Sequence, residues 1–297
     1  MKVFVTGGTG FVGPKVVHAI RARGHDVRAL VRDRSRGRQL ESWGVELAEG
    51  DVSDQESLRR AVPGCDVVVH LVAIIQGRPQ DFQRIMVGGI ENVVHAAREA
   101  GVKRFVLMSA LGTTGETKDL VPYYGAKWQM EQTVKGSGLE HVIFRPSFVF
   151  GRDGGALPLF MRIARAPVTP IIGAGTQRFQ PIWVEDVAEF FAKAVDEPAA
   201  ANRTFELCGP DTVDWNELYD RIKHVLGKRR PTLHVPFGLM RLNAALLEKL
   251  PGPTPVTRDQ LKMLQAGDNT GDVRPAFETF RQTLVPLDEQ LRRAARP

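Results

Sequence analysis

The sequence opens with a short apolar strand that runs directly into a glycine-rich turn. Residues 1–5 form the predicted strand, and Gly7, Gly10 and Gly13 precede a helical pattern that begins near Pro14. Gly7 permits a tight turn, Gly10 a close approach of the backbone to phosphate, and Gly13 close packing of helix on strand. Pro14 suits the first helical position. With the free N–H groups of a helix N-terminus, this turn predicts a binding site for a dinucleotide pyrophosphate.

The end of the second predicted strand bears on which dinucleotide binds. NAD-binding proteins of this type carry an acidic residue there, which binds the ribose 2′-hydroxyl. This chain has Val31 and then Arg32, with three further arginines in the next six residues. A guanidinium suits a 2′-phosphate, so the sequence favours NADP(H). NAD(H) stays an alternative because Asp33 lies next to Arg32, and the arginines could instead form a solvated basic loop.

Composition narrows the function classes. The chain has 297 residues, is 43% hydrophobic and carries a net charge of +6. It can bury a large core, and without a basic run interleaved with aromatic residues we expect no nucleic-acid partner. Two cysteines, Cys65 and Cys208, argue against a disulfide framework or a thiolate metal site and suit a reducing cytoplasm. The longest apolar stretch, residues 67–75, is too short to span a bilayer, and no signal peptide is expected before the first strand.

Strands alternate with helices through the first half of the chain. After the first two, the predicted strands are residues 45–49, 66–72, 104–108 and 141–145. The predicted helices between them are residues 55–61, 79–100 and 123–135. This alternation predicts an α/β fold, a Rossmann-type doubly wound parallel sheet that binds ligands at the carboxyl ends of its strands.

The alternation weakens after Pro146, where glycine and proline accumulate and a loop is predicted at residues 251–255. A helix predicted near residues 184–195 and a strand near 204–207 return the chain to the sheet. We therefore expect an NADP(H)-binding Rossmann domain formed by residues 1–146 plus 183–208. The remainder, residues 147–182 plus 209–297, is expected to form a smaller, discontinuous substrate lobe.

A tyrosine and a lysine lie four residues apart in the predicted helix 123–135. Tyr123 and Lys127 would share one face, where the ammonium can stabilise a phenolate and lower the tyrosine pKa from about 10. Tyr123 would then act as a general acid in carbonyl reduction, and Lys127 would also hold the nicotinamide ribose. The alternative is an ordinary surface pair on a helix. The position of the Tyr123 and Lys127 pair after the fifth predicted strand favours the catalytic interpretation.

Several motifs together resemble a known family. Besides the glycine turn and the Tyr-x-x-x-Lys pair, they include Asp51, Arg145-Pro146-Ser147 and the Pro-Ile-Trp-Val-Glu-Asp-Val-Ala sequence at 181–188. Over about the first two hundred residues, the chain resembles the extended and atypical branches of the short-chain dehydrogenase/reductase superfamily. Its C-terminal part, including Leu250-Pro251, is similar to an atypical epimerase/dehydratase-like group related to the nucleotide-binding accessory subunit of respiratory complex I.

The motifs and the resemblance assign a set of nucleotide contacts to the glycine turn, the following strand ends and the catalytic lysine. They are Gly7, Thr9, Gly10, Phe11, Val12, Gly13, Arg32, Asp51, Val52, Leu71, Val72, Ala73, Lys127 and Pro146. Asp51 could bind the adenine amino group or serve only the turn in which it lies. The catalytic set is Tyr123, Lys127 and Ser109, which would orient the substrate oxygen. No metal is expected, because the histidines lack metal-ligand spacing.

Two positions depart from the family pattern. Met86 stands where an asparagine usually supports the catalytic lysine through water, and Ala110 stands where many extended members carry the carbonyl-binding hydroxyl. Ser109 could serve if the loop shifts, and Thr113 or Thr114 could replace it. These departures leave two function classes open. One is an oxidoreductase acting on a carbonyl or alcohol, and the other is a non-catalytic NADPH-binding accessory or redox-sensing protein.

The substrate lobe suggests two kinds of small-molecule substrate. In sugar-nucleotide epimerases an arginine binds the substrate pyrophosphate, but the corresponding position here holds Phe179 and Arg178 precedes it. An apolar or lipid-like carbonyl compound is the other interpretation, because residues 233–250 are rich in leucine. That segment could line a pocket, contact a partner, rest on a membrane, or form the core of the lobe. Association with a membrane or a respiratory complex, and a monomer or homodimer, follow from the resemblance only.

Overall fold

The computed structural model describes residues 1–248 and 256–296, and it divides into two compact units. The first unit consists of Met1–Pro146, Val184–Leu207 and Asp272–Thr283. The second unit consists of Ser147–Trp183, Cys208–Gly271 and the segment that begins at Leu284. The predicted loop at residues 251–255 and the Leu250-Pro251 pair lie outside the described residues.

The strands, in chain order, are β1 Lys2–Thr6, β2 Asp26–Val31, β3 Glu46–Glu49, β4 Val67–His70, β5 Arg104–Met108, β6 Glu140–Pro146, β7 Val149–Phe150, β8 Thr169–Ile172, β9 Arg178–Phe179, β10 Ile182–Trp183, β11 Arg203–Leu207, β12 Val213–Asp214 and β13 Thr232–Val235. The helices are α1 Gly13–Ala22, α2 Arg38–Ser42, α3 Gln55–Ala61, α4 Pro79–Asp81, α5 Gly88–Glu99, α6 Pro122–Lys135, α7 Leu157–Arg165, α8 Val184–Lys193, α9 Trp215–Val225, α10 Phe237–Leu247, α11 Arg258–Gln265, α12 Arg274–Phe280 and α13 Leu287–Ala295. Short 3₁₀ turns lie at Arg34–Gly37 and Pro198–Ala200.

The first unit is built on a seven-stranded parallel sheet in the order β11-β6-β5-β4-β1-β2-β3. The strand order reverses between β1 and β4, which end side by side with Thr6 opposite His70. Open parallel sheets bind their ligands at such a reversal. The central strands contain continuous apolar runs, such as residues 3–5 of β1 and 67–69 of β4, because helices cover both faces of the sheet. The predicted α/β Rossmann-type fold is confirmed.

The predicted helix 79–100 contains a change of helix type. Between α4 and α5 the chain forms a π-helical turn over Phe82–Val87. At Gly89, just past this turn, an added Cβ would lie 2.9 Å from the Cγ2 of Val52, so glycine permits the close approach of α5 to that residue. The sequence periodicity does not reveal this insertion, and π turns of this kind are often found at functional sites.

The first unit contains a buried cluster of phenylalanine rings. Phe144 of β6 lies with its ring centroid 4.8 Å from that of Phe191, 5.9 Å from that of Phe205 and 5.6 Å from that of Phe280. Phe280 comes from α12, in the segment Asp272–Thr283 that sequence analysis assigned to the substrate lobe. The structure instead places this segment in the first unit, because α12 buries Phe280 against the aromatic rings of the sheet.

The second unit has its own core. Three short strand pairs, β7 with β10, β8 with β13 and β9 with β12, lie beside α7, α9 and α13. The ring of Trp215 lies 4.6 Å from that of Phe179 and 5.3 Å from that of Phe160. Leu218 and Ile222 of α9 complete this core. Among the described residues, no helix is long and apolar enough to cross a membrane.

Helix α10 does not form the core of the second unit, as one interpretation of residues 233–250 proposed. Leu239, Leu242 and Leu246 are 59%, 60% and 57% exposed, and Leu233 in β13 is 56% exposed. Ala244 is the buried residue of the helix. A core role is therefore wrong for these leucines, because the α10 face that packs against the rest of the unit is formed by smaller or partly buried side chains.

Candidate active site

The glycine turn lies at the carboxyl end of β1, beside the strand-order reversal. Gly7 adopts a φ of +78°, and a Cβ added there would lie 3.0 Å from the carbonyl carbon of Leu71. A Cβ on Gly13 would lie only 2.2 Å from the carbonyl oxygen of Gly7, so side chains are excluded at both positions. The helix begins at Gly13, which makes Pro14 its second residue. Among the described residues no side chain caps α1, so its N–H groups can bind an anion.

A cavity of about 420 Å³ lies at the carboxyl ends of β2 and β3, and it is lined by Arg32, Glu49, Gly50, Asp51, Asp54, Ser57 and Arg60. Arg32 is exposed at its edge. The carboxylate of Asp33 accepts hydrogen bonds from the backbone N–H and the hydroxyl of Ser35, at 2.8 and 2.7 Å. Asp33 therefore caps the 3₁₀ turn that follows, whereas Arg32 lines the cavity.

Asp51 lies in the same cavity and also serves its own loop. Its Oδ1 accepts hydrogen bonds from the backbone N–H of Ser53 at 2.8 Å and from the Ser53 hydroxyl at 2.6 Å. Desolvation opposes ionisation of this carboxyl, but the Ser53 hydrogen bonds and the charges of Arg32 and Arg84 outweigh it, so the pKa of Asp51 is lowered. The turn role proposed from the sequence is therefore present. It leaves Oδ2 as the atom that could bind an adenine amino group.

Tyr123 and Lys127 lie one turn apart on α6, as the spacing predicts. The Nζ of Lys127 lies 5.8 Å from the centre of the Tyr123 ring. Lys127 is 1% exposed, and its Nζ donates a hydrogen bond of 2.6 Å to the carbonyl oxygen of Met108, the last residue of β5. The carboxyl end of β5 thus fixes the Lys127 side chain, which lies beside the Tyr123 ring.

The ionisation of the pair differs from the expectation. Burial, opposed by the nearby Glu131 carboxylate, lowers the pKa of Lys127 to about 7. Burial and the neighbouring Tyr124 raise the pKa of Tyr123 above its usual value, instead of the lysine lowering it. The reason is geometric: the ammonium is bound to the Met108 carbonyl oxygen and lies over the tyrosine ring. In this arrangement Tyr123 holds its proton firmly near neutral pH.

Ser109 takes part in a buried ionic network that the motifs did not reveal. Its hydroxyl donates a hydrogen bond of 2.6 Å to Oε1 of Glu131, a residue of α6 with no exposed surface. Arg145 donates two hydrogen bonds to the same carboxylate, at 2.8 and 2.7 Å, and Lys135 lies 3.3 Å from its Oε2. Burial opposes ionisation of Glu131, but its hydrogen bonds to Arg145 and Ser109 outweigh it and lower its pKa.

This network restricts what Ser109 can do. Because its proton is directed to Glu131, Ser109 can accept a hydrogen bond from a substrate hydroxyl but cannot also donate to a carbonyl oxygen. Of the two threonines proposed as replacements, Thr114 bonds to Glu116 and Thr117. Thr113 is fully buried, and its hydroxyl has no hydrogen-bond partner among the described residues. The sequence signal for part of this network was Lys135, four residues after Glu131 on the same helix.

Two further buried residues flank the pair. Met86, in the π-helical turn, is fully buried in the apolar core of the first unit, so a thioether stands where the family uses an amide. His70, at the end of β4, shares a hydrogen bond of 2.8 Å between its Nδ1 and the Thr6 hydroxyl. Burial and the Lys127 charge lower the pKa of His70 to about 3, so its ring is neutral. Its Nε2 has no partner among the described residues.

The remaining predicted contacts lie where their strands end. The N–H of Leu71 donates to the Thr6 carbonyl oxygen at 3.1 Å, which brings residues 71 and 72 against the glycine turn. The carbonyl oxygen of Pro146 accepts a hydrogen bond of 2.9 Å from the Leu111 N–H, next to the loop that carries Ser109. The predicted nucleotide residues thus lie along the carboxyl edge of one sheet, but whether each contacts a nucleotide stays a prediction.

A parallel sheet with a glycine-rich turn at its strand-order reversal defines a Rossmann-type nucleotide-binding protein with a reductase-like fold. Residues 7–198 match the NAD(P)H-binding family, and the chain belongs to it. The resemblance to the extended short-chain dehydrogenase/reductase group is thereby confirmed.

The relatives include a ketoreductase and a subunit of NADH dehydrogenase. The chain is 29% identical over 270 residues to a 4-hydroxy-2-methyl-3-oxo-4-farnesyl-3,4-dihydroquinoline-1-oxide ketoreductase of Stigmatella aurantiaca, covering 84% of this chain and 80% of the relative. It is 28% identical over 295 residues to the mitochondrial NADH dehydrogenase [ubiquinone] 1 alpha subcomplex subunit 9 of Rattus norvegicus, covering 96% and 77%. The fold is also that of the Citrobacter sp. triphenylmethane reductase complexed with NADP(H), with a TM-score of 0.77, 21% identity and coverage of 99% and 100%.

Proposed function

We propose that the protein is an NADP(H)-dependent oxidoreductase that interconverts a carbonyl compound and its alcohol. The observation that carries this proposal is the pair on α6, in which a buried Lys127 is bound to the edge of the sheet through the Met108 carbonyl oxygen and contacts Tyr123. A surface pair on a helix would leave the lysine exposed, whereas this one is 1% exposed. Burying an ammonium is costly, so a structural purpose alone is a poor reason to retain it.

The roles of the residues follow from their places on the sheet edge. The N-terminus of α1 binds the pyrophosphate, Arg32 the ribose 2′-phosphate, and Asp51 the adenine through Oδ2. NADP(H), when bound there, would supply the hydride equivalent for reduction of the carbonyl carbon. Tyr123, which holds its proton near neutral pH, donates that proton to the carbonyl oxygen, and solvent later restores it. Lys127 holds the nicotinamide ribose and positions Tyr123, while Ser109 accepts a hydrogen bond from the product hydroxyl.

NADP(H) is favoured over NAD(H) by the local environment of the two candidate residues. The Asp33 carboxylate already accepts two hydrogen bonds from Ser35, so it is poorly placed to bind a ribose 2′-hydroxyl. Arg32 lines the cavity in which that ribose would lie. Isothermal titration calorimetry of the nucleotide-free protein should show a preference for NADPH over NADH of more than about tenfold, equal to about 1.4 kcal/mol. Equal affinity in the parent protein would contradict the role of Arg32.

The Arg32→Ser substitution tests the same assignment with a matched control. We expect it to weaken NADPH binding and leave NADH binding nearly unchanged, because it removes only the partner of the 2′-phosphate. Arg60→Ser is the control, since this residue lines the same cavity at the end of α3. Equal losses of NADPH affinity in both variants would show that the cavity attracts anions through its general charge only.

For the substrate we favour an apolar carbonyl compound over a sugar nucleotide. Phe179 is buried against Trp215, so the position expected for a pyrophosphate-binding arginine is filled by the core of the second unit. Arg178 forms an ion pair with Asp268 at 2.9 Å, which neutralises the neighbouring candidate. The farnesyl group in the substrate of the Stigmatella relative supports an apolar substrate.

The decisive test of catalysis is Tyr123→Phe. We expect turnover of farnesylated or aromatic ketones with NADPH to fall by about 10²–10⁴-fold, because the proton donor is lost. Nucleotide affinity should stay the same, since the substitution removes one hydroxyl and keeps the ring. Tyr124→Phe is the matched control, because Tyr124 is adjacent but its hydroxyl lies beside Gly112, where an added Cβ would be 2.9 Å from it. Equal activity of the parent and Tyr123→Phe would remove Tyr123 from the mechanism.

A non-catalytic NADPH-binding protein is the second candidate. It is favoured by the buried Met86 in the π-helical turn, which cannot hydrogen-bond a water to Lys127 as an amide can. Kinship with a respiratory complex I subunit points the same way. Tight NADPH binding without turnover of any tested carbonyl would support this role. Cys65 and Cys208 are not joined in a disulfide bond, which suits a reducing compartment such as the cytoplasm under either proposal.

A further inference from the structure

Helix α10 of the second unit presents an apolar face to solvent. Leu239, Leu242 and Leu246 occur at i, i+3 and i+7, which places them along one side of the helix. Each is more than half exposed, while Ala244 on the opposite side is buried. Scattered exposed leucines need no explanation, but three on one face of one helix form a contiguous patch. We call these three leucines the α10 patch.

The segment that leads into α10 is strongly basic. From residue 221 to residue 247 the sequence contains six lysines and arginines and no aspartate or glutamate. Arg221 and Lys223 are neutralised by acidic neighbours, Asp288 and Asp220 among them. The exposed run Lys228-Arg229-Arg230, which we call the basic run, has no carboxylate at ion-pair distance among the described residues. Exposed positive charge thus precedes the exposed apolar face of α10 in the chain, separated from it by β13.

We propose that the α10 patch and the basic run form a docking surface for an anionic lipid bilayer. An interfacial helix buries its leucines at the boundary of the acyl chains, while nearby lysines and arginines are attracted to the anionic headgroups. With 11 residues, α10 is about 16 Å long and too short to span the hydrocarbon, so it lies in the plane of the surface. Leu233 of β13, which lies in the chain between the basic run and α10, is also exposed.

The charge argues for a bilayer over a second copy of the chain. Two copies joined through the α10 patch would each bring a basic run to the same interface, and like charges would repel across it. An anionic bilayer instead offers the opposite charge to the basic run and an apolar interior to the leucines. This docking does not depend on the proposed catalysis, because it uses the second unit alone and involves none of the residues assigned to the nucleotide or to proton transfer.

Co-sedimentation of the full-length protein with lipid vesicles tests the proposal. The parent should bind mixed phosphatidylcholine and phosphatidylglycerol vesicles, and vesicles of phosphatidylcholine alone at least about tenfold more weakly. The triple variant Leu239→Ser, Leu242→Ser, Leu246→Ser should lose binding to both. The triple variant Lys228→Gln, Arg229→Gln, Arg230→Gln should bind anionic vesicles at least about tenfold more weakly, and high salt should weaken the parent in the same way.

Phe277→Ser is the matched control, because Phe277 is 53% exposed in α12 of the first unit, and it should bind vesicles as the parent does. Unchanged NADPH affinity and thermal unfolding would show that each variant is folded. Failure of the parent to bind anionic vesicles would overturn the proposal, as would undiminished binding by the leucine variant. Sedimentation equilibrium that shows a parent dimer and a monomeric leucine variant would assign the patch to self-association and also overturn it.

Discussion

Helix α6 buries charged side chains, whereas helix α10 exposes apolar ones, and both arrangements are unusual. In α6, Lys127 and Glu131 are 1% and 0% exposed, whereas in α10 the leucines of the α10 patch are more than half exposed. The buried charges of α6 have internal partners, namely the Met108 carbonyl oxygen and the Arg145 guanidinium. The exposed leucines of α10 have no corresponding cover among the described residues. Buried charges that have partners inside the fold indicate a site within the protein. Exposed leucines without such partners indicate contact with another molecule.

This contrast predicts that disrupting the buried network of Ser109, Glu131 and Arg145 has the largest effect on stability. Arg145→Met removes the bidentate partner and leaves the Glu131 carboxylate buried with Ser109 and Lys135 only. We expect the free energy of unfolding to fall by about 3–5 kcal/mol, as measured by guanidinium denaturation near pH 7. The double variant Arg145→Met, Glu131→Leu should recover much of this loss, because it removes both charges. A loss below about 1 kcal/mol in the single variant would mean that the network contributes little.

Lys127 should give an effect that depends on pH, and within one pH unit it is smaller than the loss expected for Arg145→Met. Its pKa is lowered from 10.5 in the unfolded chain to about 7 in the fold, so between these values the unfolded state binds the extra proton. The stability of the parent should therefore rise as the pH increases through this window, by at most about 1.4 kcal/mol per pH unit. The stability gained in this way should be lost again as the pH falls through 7.

The Lys127→Met variant isolates this contribution. Unfolding of the parent and the variant should be compared across the window, with exposed Lys103→Met as the control. The advantage of Lys127→Met over the parent should be largest near and below pH 7 and shrink toward pH 10. A difference that does not change with pH would show that Lys127 is solvated like an ordinary surface lysine.

The smallest effect on stability is expected in α10. Each serine substitution in the α10 patch should change the free energy of unfolding by no more than about 0.5 kcal/mol, because exposed side chains contribute little to the fold. Leu218→Ala, at a fully buried position of α9 in the same unit, should cost about 2–5 kcal/mol and serves as the comparison. Equal costs at the two sites would show that the patch is covered in solution and that the contrast with α6 does not hold.

The parallel sheet and the glycine turn could be predicted because they depend on local rules. Apolar runs separated by helical patterns specify buried parallel strands, and Gly7 and Gly13 are required wherever a Cβ would meet backbone atoms. The tyrosine-lysine pair could be found for the same reason, since a separation of four residues brings two side chains together on any helix. The π-helical turn before α5 could not, because its sequence has an ordinary helical pattern.

The sequence by itself determined the Rossmann-type fold, the nucleotide-binding class and the place of the candidate site on the sheet edge. Only the tertiary structure decided that Ser109, Glu131 and Arg145 form one buried network, that α12 packs against the aromatic rings of the first unit, and that the leucines of α10 lie outside the core. The physical reason is range: propensity, periodicity and turn chemistry act over a few residues. Burial and hydrogen-bond partners depend on elements that meet only after the chain has folded.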